Sequence, residues 1–272
     1  MPSPMWLFAS KLDPFSSFTI NLGPLYAERV FDRCLTLEGI ENVVRMPAKE
    51  RYERYLAWLK SQIPKSNRVQ YTFIQFYLGY FCHQLSNYLP ERVNVLHFRE
   101  KALCYYQSFL EIASNNDEGR YYAQWQTGML QDSLHYPWPQ CESSLLKANL
   151  LDPIRGEAIR KIIQHYIQKR EWSTAYSYSA SAVNQFLDKR PAAKRRWFID
   201  FDAYNRNVLR THFDICQSLG NYREAEITFS KLLSYKASHR DEFGSIEVRQ
   251  LHNLERKIKL PDAADQCLTK II

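Results

Sequence analysis

Leu219-Gly220-Asn221-Tyr222-Arg223-Glu224-Ala225-Glu226-Ile227-Thr228-Phe229-Ser230-Lys231-Leu232-Leu233 carries the pattern that decides the fold. Gly220 ends one helix and permits the left-handed turn into the next. Tyr222 plugs that turn. Ala225 is small enough to let two helices cross closely, and Phe229 and Leu232, four and seven residues beyond it, fall on the same helix face. This order of residue types predicts the second helix of a helical hairpin.

The same frame recurs upstream. Trp172 and Ala175 take the aromatic and crossing positions in Glu171-Trp172-Ser173-Thr174-Ala175, 50 residues earlier. Cys141, Leu145 and Ala148 repeat it 34 residues before Ala175, and Ala102 opens a further copy 39 residues before Cys141. Gly79 and Gly128 sit on the matching first helices, where close packing is needed. Such spacings make an irregular array of about four pairs. The frame resembles the tetratricopeptide repeat. That resemblance implies an all-α fold, a right-handed superhelical solenoid of helix-turn-helix pairs.

Helical periodicity extends well beyond these copies. Apolar positions spaced three or four apart predict helices over 50–60, 70–85, 99–113, 118–134, 141–151, 154–168, 173–187, 202–219 and 223–235, with a polar one over 240–258. Pro64, Pro90, Pro137, Pro139, Pro153, Pro191 and Pro261 fall between them, as residues that cannot donate within a helix should. Residues 24–44 have room for one or two short packing helices. The expected organisation is a non-repeat helical segment at 1–66, the repeats at 67–236 with a basic insert near 188–200, and a capping helix and tail at 237–272.

With 8 glycines in 272 residues and 14% aromatic residues, the composition suits long helices better than a turn-rich β fold. The net charge of +7 is concentrated: residues 188–196 contribute a net +4 through Lys189, Arg190, Lys194, Arg195 and Arg196. One basic loop is a far weaker nucleic-acid signal than a basic face, so nucleic acid is not the expected partner. The cluster also has the form of a nuclear-import or phosphate-binding run. A solvated loop that widens the spacing between Ala175 and Ala225 accounts for it more simply. Six scattered cysteines without a CxxC pair read as reduced, buried thiols. The N-terminus makes a poor signal peptide and no 18-residue apolar run occurs, so a cytoplasmic location without a membrane span is expected.

A second resemblance rests on Tyr136-Pro137-Trp138-Pro139-Gln140, on Leu146-Lys147-Ala148-Asn149-Leu150-Leu151-Asp152-Pro153-Ile154-Arg155-Gly156-Glu157-Ala158, and on Ala175-Tyr176-Ser177-Tyr178. It continues through Arg196-Trp197-Phe198-Ile199-Asp200-Phe201-Asp202-Ala203-Tyr204. Residues 97–235 are similar to the helical repeat region that follows the catalytic domain in some family-2 glycosyltransferases. In that family the chemistry belongs to an N-terminal α/β domain with metal-binding acidic residues. Here the upstream residues are too few and too helical for such a domain, and they contain no Asp-x-Asp triplet. The resemblance therefore implies a repeat fold and an association with glycan machinery, without transferase activity.

No GxSxG, HExxH, P-loop or GxGxxG motif is present. The seven histidines never fall three or four residues apart, so no helix offers paired imidazoles to a metal. No catalytic residue, metal or cofactor is expected. In a solenoid the first helices line the concave side, which places Tyr122, Trp125, Met129 and Asp132 there, then Glu157, Arg160, Gln164 and Ile167, then Asn207, Arg210, Asp214 and Gln217. Tyr122, Trp125, Arg160, Gln164, Asn207 and Arg210 are the expected ligand-binding groove. The arginines suit a carboxylate or phosphate and the rings suit stacking; the same rings are equally suited to packing against a neighbouring helix. The expected function is a non-catalytic scaffold whose groove binds a peptide or protein, the alternative being an accessory of glycosyltransferase machinery.

Overall fold

The computed structural model describes residues 28, 31–32, 35–36, 39–40, 42–113, 118–187, 203–204 and 206–238. The polar helix expected over 240–258, the basic residues Lys189, Arg190, Lys194, Arg195 and Arg196, and Cys34 and Cys267 lie outside them. Among the described residues the protein is all-helical and has no strand. Among the described residues from 48 onward, nine α-helices follow one another: α1 (Ala48–Gln62), α2 (Arg68–Ser86), α3 (Arg92–Ile112), α4 (Glu118–Ser133), α5 (Trp138–Leu151), α6 (Glu157–Gln168), α7 (Trp172–Phe186), α8 (Arg206–Leu219) and α9 (Tyr222–Ser238). They form two compact units, with the division after Pro153. The stretch 67–236, expected as one repeat region, is thus shared between the two. No described helix is long and apolar enough to cross a membrane.

Local chemistry sets the boundaries. At the start of α2, Asn67 Oδ1 accepts from the Gln70 amide at 2.9 Å while Gln70 Oε1 accepts from the Asn67 amide at 3.0 Å. This reciprocal box satisfies two donors that a helix start leaves open. Helix α3 begins seven residues before the expected position. Its first turn is solvated, with Val93 77% exposed, so no apolar stripe marks it. Helix α6 begins at Glu157 instead of Ile154, after a turn that ends on Gly156.

Three hairpins turn in the same way. Where α4, α6 and α8 end, His135, Arg170 and Gly220 adopt φ of 61°, 58° and 75°. In each case the following amide (Tyr136, Glu171 or Asn221) bonds a carbonyl five residues back at 2.9 Å. Glycine takes this left-handed conformation without cost, whereas a side chain pays about 1–2 kcal/mol. Arg170→Gly, at an exposed position, should therefore stabilise its unit by about 1 kcal/mol. A rise in the urea midpoint is the expected readout.

The repeat frame maps onto burial. The four crossing residues Ala102, Cys141, Ala175 and Ala225 are fully buried. So are the residues four further on, Tyr106, Leu145, Ser179 and Phe229. The glycines of the first helices make the closest approaches. A Cβ at Gly79 would stand 2.9 Å from the Tyr106 ring, and one at Gly128 would stand 2.7 Å from Leu145 Cγ.

The first unit, α1 to α5, is centred on aromatic rings. Phe81 has Tyr55 at 4.7 Å, Phe31 at 4.9 Å and Tyr80 at 5.2 Å between centroids. Phe31 and Leu35, both helical and buried, belong to the segment in which the sequence left room for short helices. Glu28 ties that segment to α1, accepting from Tyr52 Oη at 2.8 Å and Arg51 Nη2 at 3.1 Å, while the Tyr55 hydroxyl donates to Asp32.

His83, half-buried on α2, has its pKa pushed down from 6.5 to about 4, chiefly by burial and secondly by Arg99, with Gln126 offsetting part. Since the folded state resists the proton more than the unfolded chain does, His83 contributes stability that is complete above about pH 6.5. That contribution is lost as pH falls through 4, to a total of about 3 kcal/mol. Urea unfolding at pH 7 and pH 4 should show this loss, and His83→Gln should reduce it.

Candidate functional site

The second unit holds the site. Its α6 buries Ala158, Ile159, Ile162 and Ile163, and its α8 buries Leu209, Phe213 and Cys216 against Ala225 and Phe229 of α9. The opposite stripes stay polar. Between α6, α7 and α8 lies a cavity of about 300 Å³. Arg160, Ile163 and Gln164 line it from α6; Ser179, Ala182 and Phe186 from α7; Asn207, Arg210, Thr211 and Asp214 from α8. Each set follows helical spacing, so each helix presents one stripe.

The repeat frame explains the space. At the fourth and seventh residues past the crossing position, the other second helices carry Tyr106 with Phe109, Leu145 with Ala148, and Phe229 with Leu232. Helix α7 carries Ser179 and Ala182. Small side chains at both positions leave room where the final pair has bulk. This signal was legible in the sequence and locates the cavity better than the first-helix stripes do.

Arg160, Gln164, Asn207 and Arg210, four of the expected groove residues, line this one cavity. Gln164, Arg210 and Asp214 are exposed; Arg160, Asn207 and Thr211 are half-buried. Asp214 keeps access to solvent, yet the surrounding protein raises its pKa and the Arg210 guanidinium offsets part of that rise.

Tyr122 and Trp125 belong elsewhere. Both are on α4 in the first unit, where Tyr122 is buried with Trp125, Phe76 and Tyr106 around it at 5.8–6.2 Å. Packing between α2, α3 and α4 encloses the Tyr122 ring, and Trp125 is half-buried beside it. Glu157 is also not a groove residue. It is 0% exposed and paired with Arg155, also 0% exposed, through Nε–Oε2 at 3.0 Å and Nη2–Oε1 at 3.1 Å. Tyr204 donates to Glu157 Oε2 at 2.9 Å and accepts from the Gly156 amide at 2.8 Å. Burial, followed by the Glu157 carboxylate, holds the phenol well above its ordinary range, so it remains a donor. This buried network anchors the start of α6 beside the cavity. Sequence reading missed it because burial of an Arg-x-Glu pair depends on residues almost 50 positions away.

Behind the cavity, His212 links three helices. Its Nδ1 lies 2.8 Å from Ser179 Oγ, and its Nε2 lies 3.7 Å from Cys216 Sγ and 3.8 Å from Glu224 Oε1. Burial lowers the imidazole pKa and Glu224 opposes the shift. The Ser-His-Glu order resembles a nucleophilic triad, but the buried Ser179 hydroxyl also donates to the Tyr176 carbonyl at 3.1 Å. His212 Nδ1 shares a hydrogen bond with Ser179, and Nε2 faces both the Cys216 thiol and the Glu224 carboxylate. Ser179 and His212 are both buried, and their contact ties α7 to α8. Burial pushes the Cys82 and Cys216 thiols up to about 12 and 11, which keeps them protonated, whereas Cys104 is exposed.

Fold and site together define an all-helical protein built from consecutive packed hairpins, with a cavity of mixed charge in its second unit. Comparison with protein families finds no family model that matches the chain, and comparison with curated proteins finds no match.

Proposed function

We propose that this chain is a non-catalytic interaction module, a tetratricopeptide-like array in which a groove of the second unit takes a peptide segment of a partner protein. The observation that carries the reading is the cavity of about 300 Å³ to which α6 and α8 contribute Arg160, Gln164, Asn207 and Arg210. Guanidinium and amide groups over an apolar floor suit a peptide, because they bond backbone and carboxylate groups while the floor takes side-chain bulk. The turn shared by three hairpins and the buried crossing residues support the repeat frame on which the groove is placed.

A glycan-associated partner is the second reading. It is favoured by one observation: every lining residue lies within 97–235, the stretch that resembles the repeat region of family-2 glycosyltransferases. Affinity capture from the native lysate, with wild-type chain and an Arg160→Ala/Arg210→Ala variant in parallel, tests both. Loss of the captured protein in the variant is expected, and its identity separates the two readings. An identical catch would mean that the partner does not use this groove.

A further inference from the structure

We propose that the cavity between α6, α7 and α8 recognises an extended peptide carrying one acidic and one basic side chain two residues apart. The inference rests on the peptide-binding reading above and specifies the chemistry of its ligand. Arg210 and Asp214 both line the cavity and stand one turn apart on α8. Four residues of helix advance by about 6 Å. Two residues of extended chain advance by about 6.6 Å and place both side chains on the same side. A peptide along α8 therefore meets Arg210 with one side chain and Asp214 with the next one facing the wall.

Both groups have capacity for such partners. Among the described residues neither Arg210 nor Asp214 closes an ion pair, with each other or with a third side chain. Arg160 lines the same space from α6 and adds positive charge to that wall. The stripe from Asn207 to Asp214 spans about 10 Å, enough for three extended residues. Gln164 borders it with an amide group able to pair with a peptide N–H and C=O. Walls of both signs disfavour a dianion such as a phosphate, which would meet the Asp214 carboxylate.

An array of capped nonapeptides tests this. An alanine–glutamine background carries a glutamate and a lysine adjacent, two apart or three apart, in both orders, beside single-charge, phosphoserine and neutral controls. The array is probed with the full chain, with Arg210→Glu/Asp214→Lys, and with Thr211→Trp, which fills the cavity from a half-buried position; circular dichroism verifies the fold of each variant. One order of the two-apart pair should be retained roughly ten-fold more strongly than the adjacent pair or either single charge, the worth of one charge-assisted contact. The charge swap should favour the opposite order, and Thr211→Trp should lose all of them. Retention that Thr211→Trp abolishes but that ignores charge spacing, or is strongest for phosphoserine, would overturn this inference and leave the groove standing. Retention of no peptide by the full chain would overturn both.

Discussion

Glu157→Ala is expected to lower the unfolding free energy of the second unit by about 3–5 kcal/mol. The side chain is fully buried and supplies both oxygens to the Arg155 guanidinium and one to the Tyr204 hydroxyl. Removing it takes away the carboxylate that offsets part of the desolvation incurred by the buried Arg155 guanidinium. Tyr204→Phe tests the smaller share: it removes the hydroxyl shared by Gly156 and Glu157 and should cost about 1–3 kcal/mol. Arg155→Met with Glu157→Leu should recover much of the loss, because apolar groups of similar volume carry no charge to bury. Urea unfolding of the three variants at pH 7 is the measurement. A single-variant loss below about 1 kcal/mol would show that the pair is solvated. The network also positions Gly156 beside the cavity, so Tyr204→Phe should weaken peptide retention along with stability.

Phe81→Ala should have a comparable effect in the first unit, about 3–5 kcal/mol. The ring is fully buried and meets rings from the helical segment around Phe31, from α1 and from α2 itself. Truncation removes its transfer free energy and leaves a cavity that surrounding rings, fixed by their own edge contacts, cannot close. The Tyr52 and Tyr55 hydroxyls, bonded to Glu28 and Asp32, restrain collapse further. Phe81→Leu should cost much less, since most of the volume remains. Near-ultraviolet circular dichroism should lose intensity in Phe81→Ala, reporting the loosened aromatic cluster.

Helices and hairpins were legible because their signals are local. The small residues Cys141, Ala175 and Ala225 within their helices, the proline breaks and Gly220 all act within a few residues, through helix geometry and backbone sterics. The early start of α3 escaped because a solvated first turn carries no apolar stripe. The helix ends before His135 and Arg170 were placed within a residue, but no glycine marks the left-handed conformation that both residues take. Helix face alone grouped Arg160, Gln164, Asn207 and Arg210, and the structure has all four lining one cavity. Tyr122 and Trp125 followed the same logic, and the alternative reading of packing against a neighbouring helix holds for the buried Tyr122, with Trp125 half-buried beside it.

By itself the sequence determined that the chain is helical, roughly where its helices turn, and which small residues lie at their crossings. These follow from periodicities of 3.6 residues and from side-chain volume. Tertiary structure alone decided which polar residues face a common space and which are buried. The cavity exists because Ser179 and Ala182 of α7 meet α6 and α8, and Glu157 leaves the groove because Arg155 and Tyr204 enclose it. Burial of a charge depends on partners distant in sequence, and helix periodicity carries no information about them.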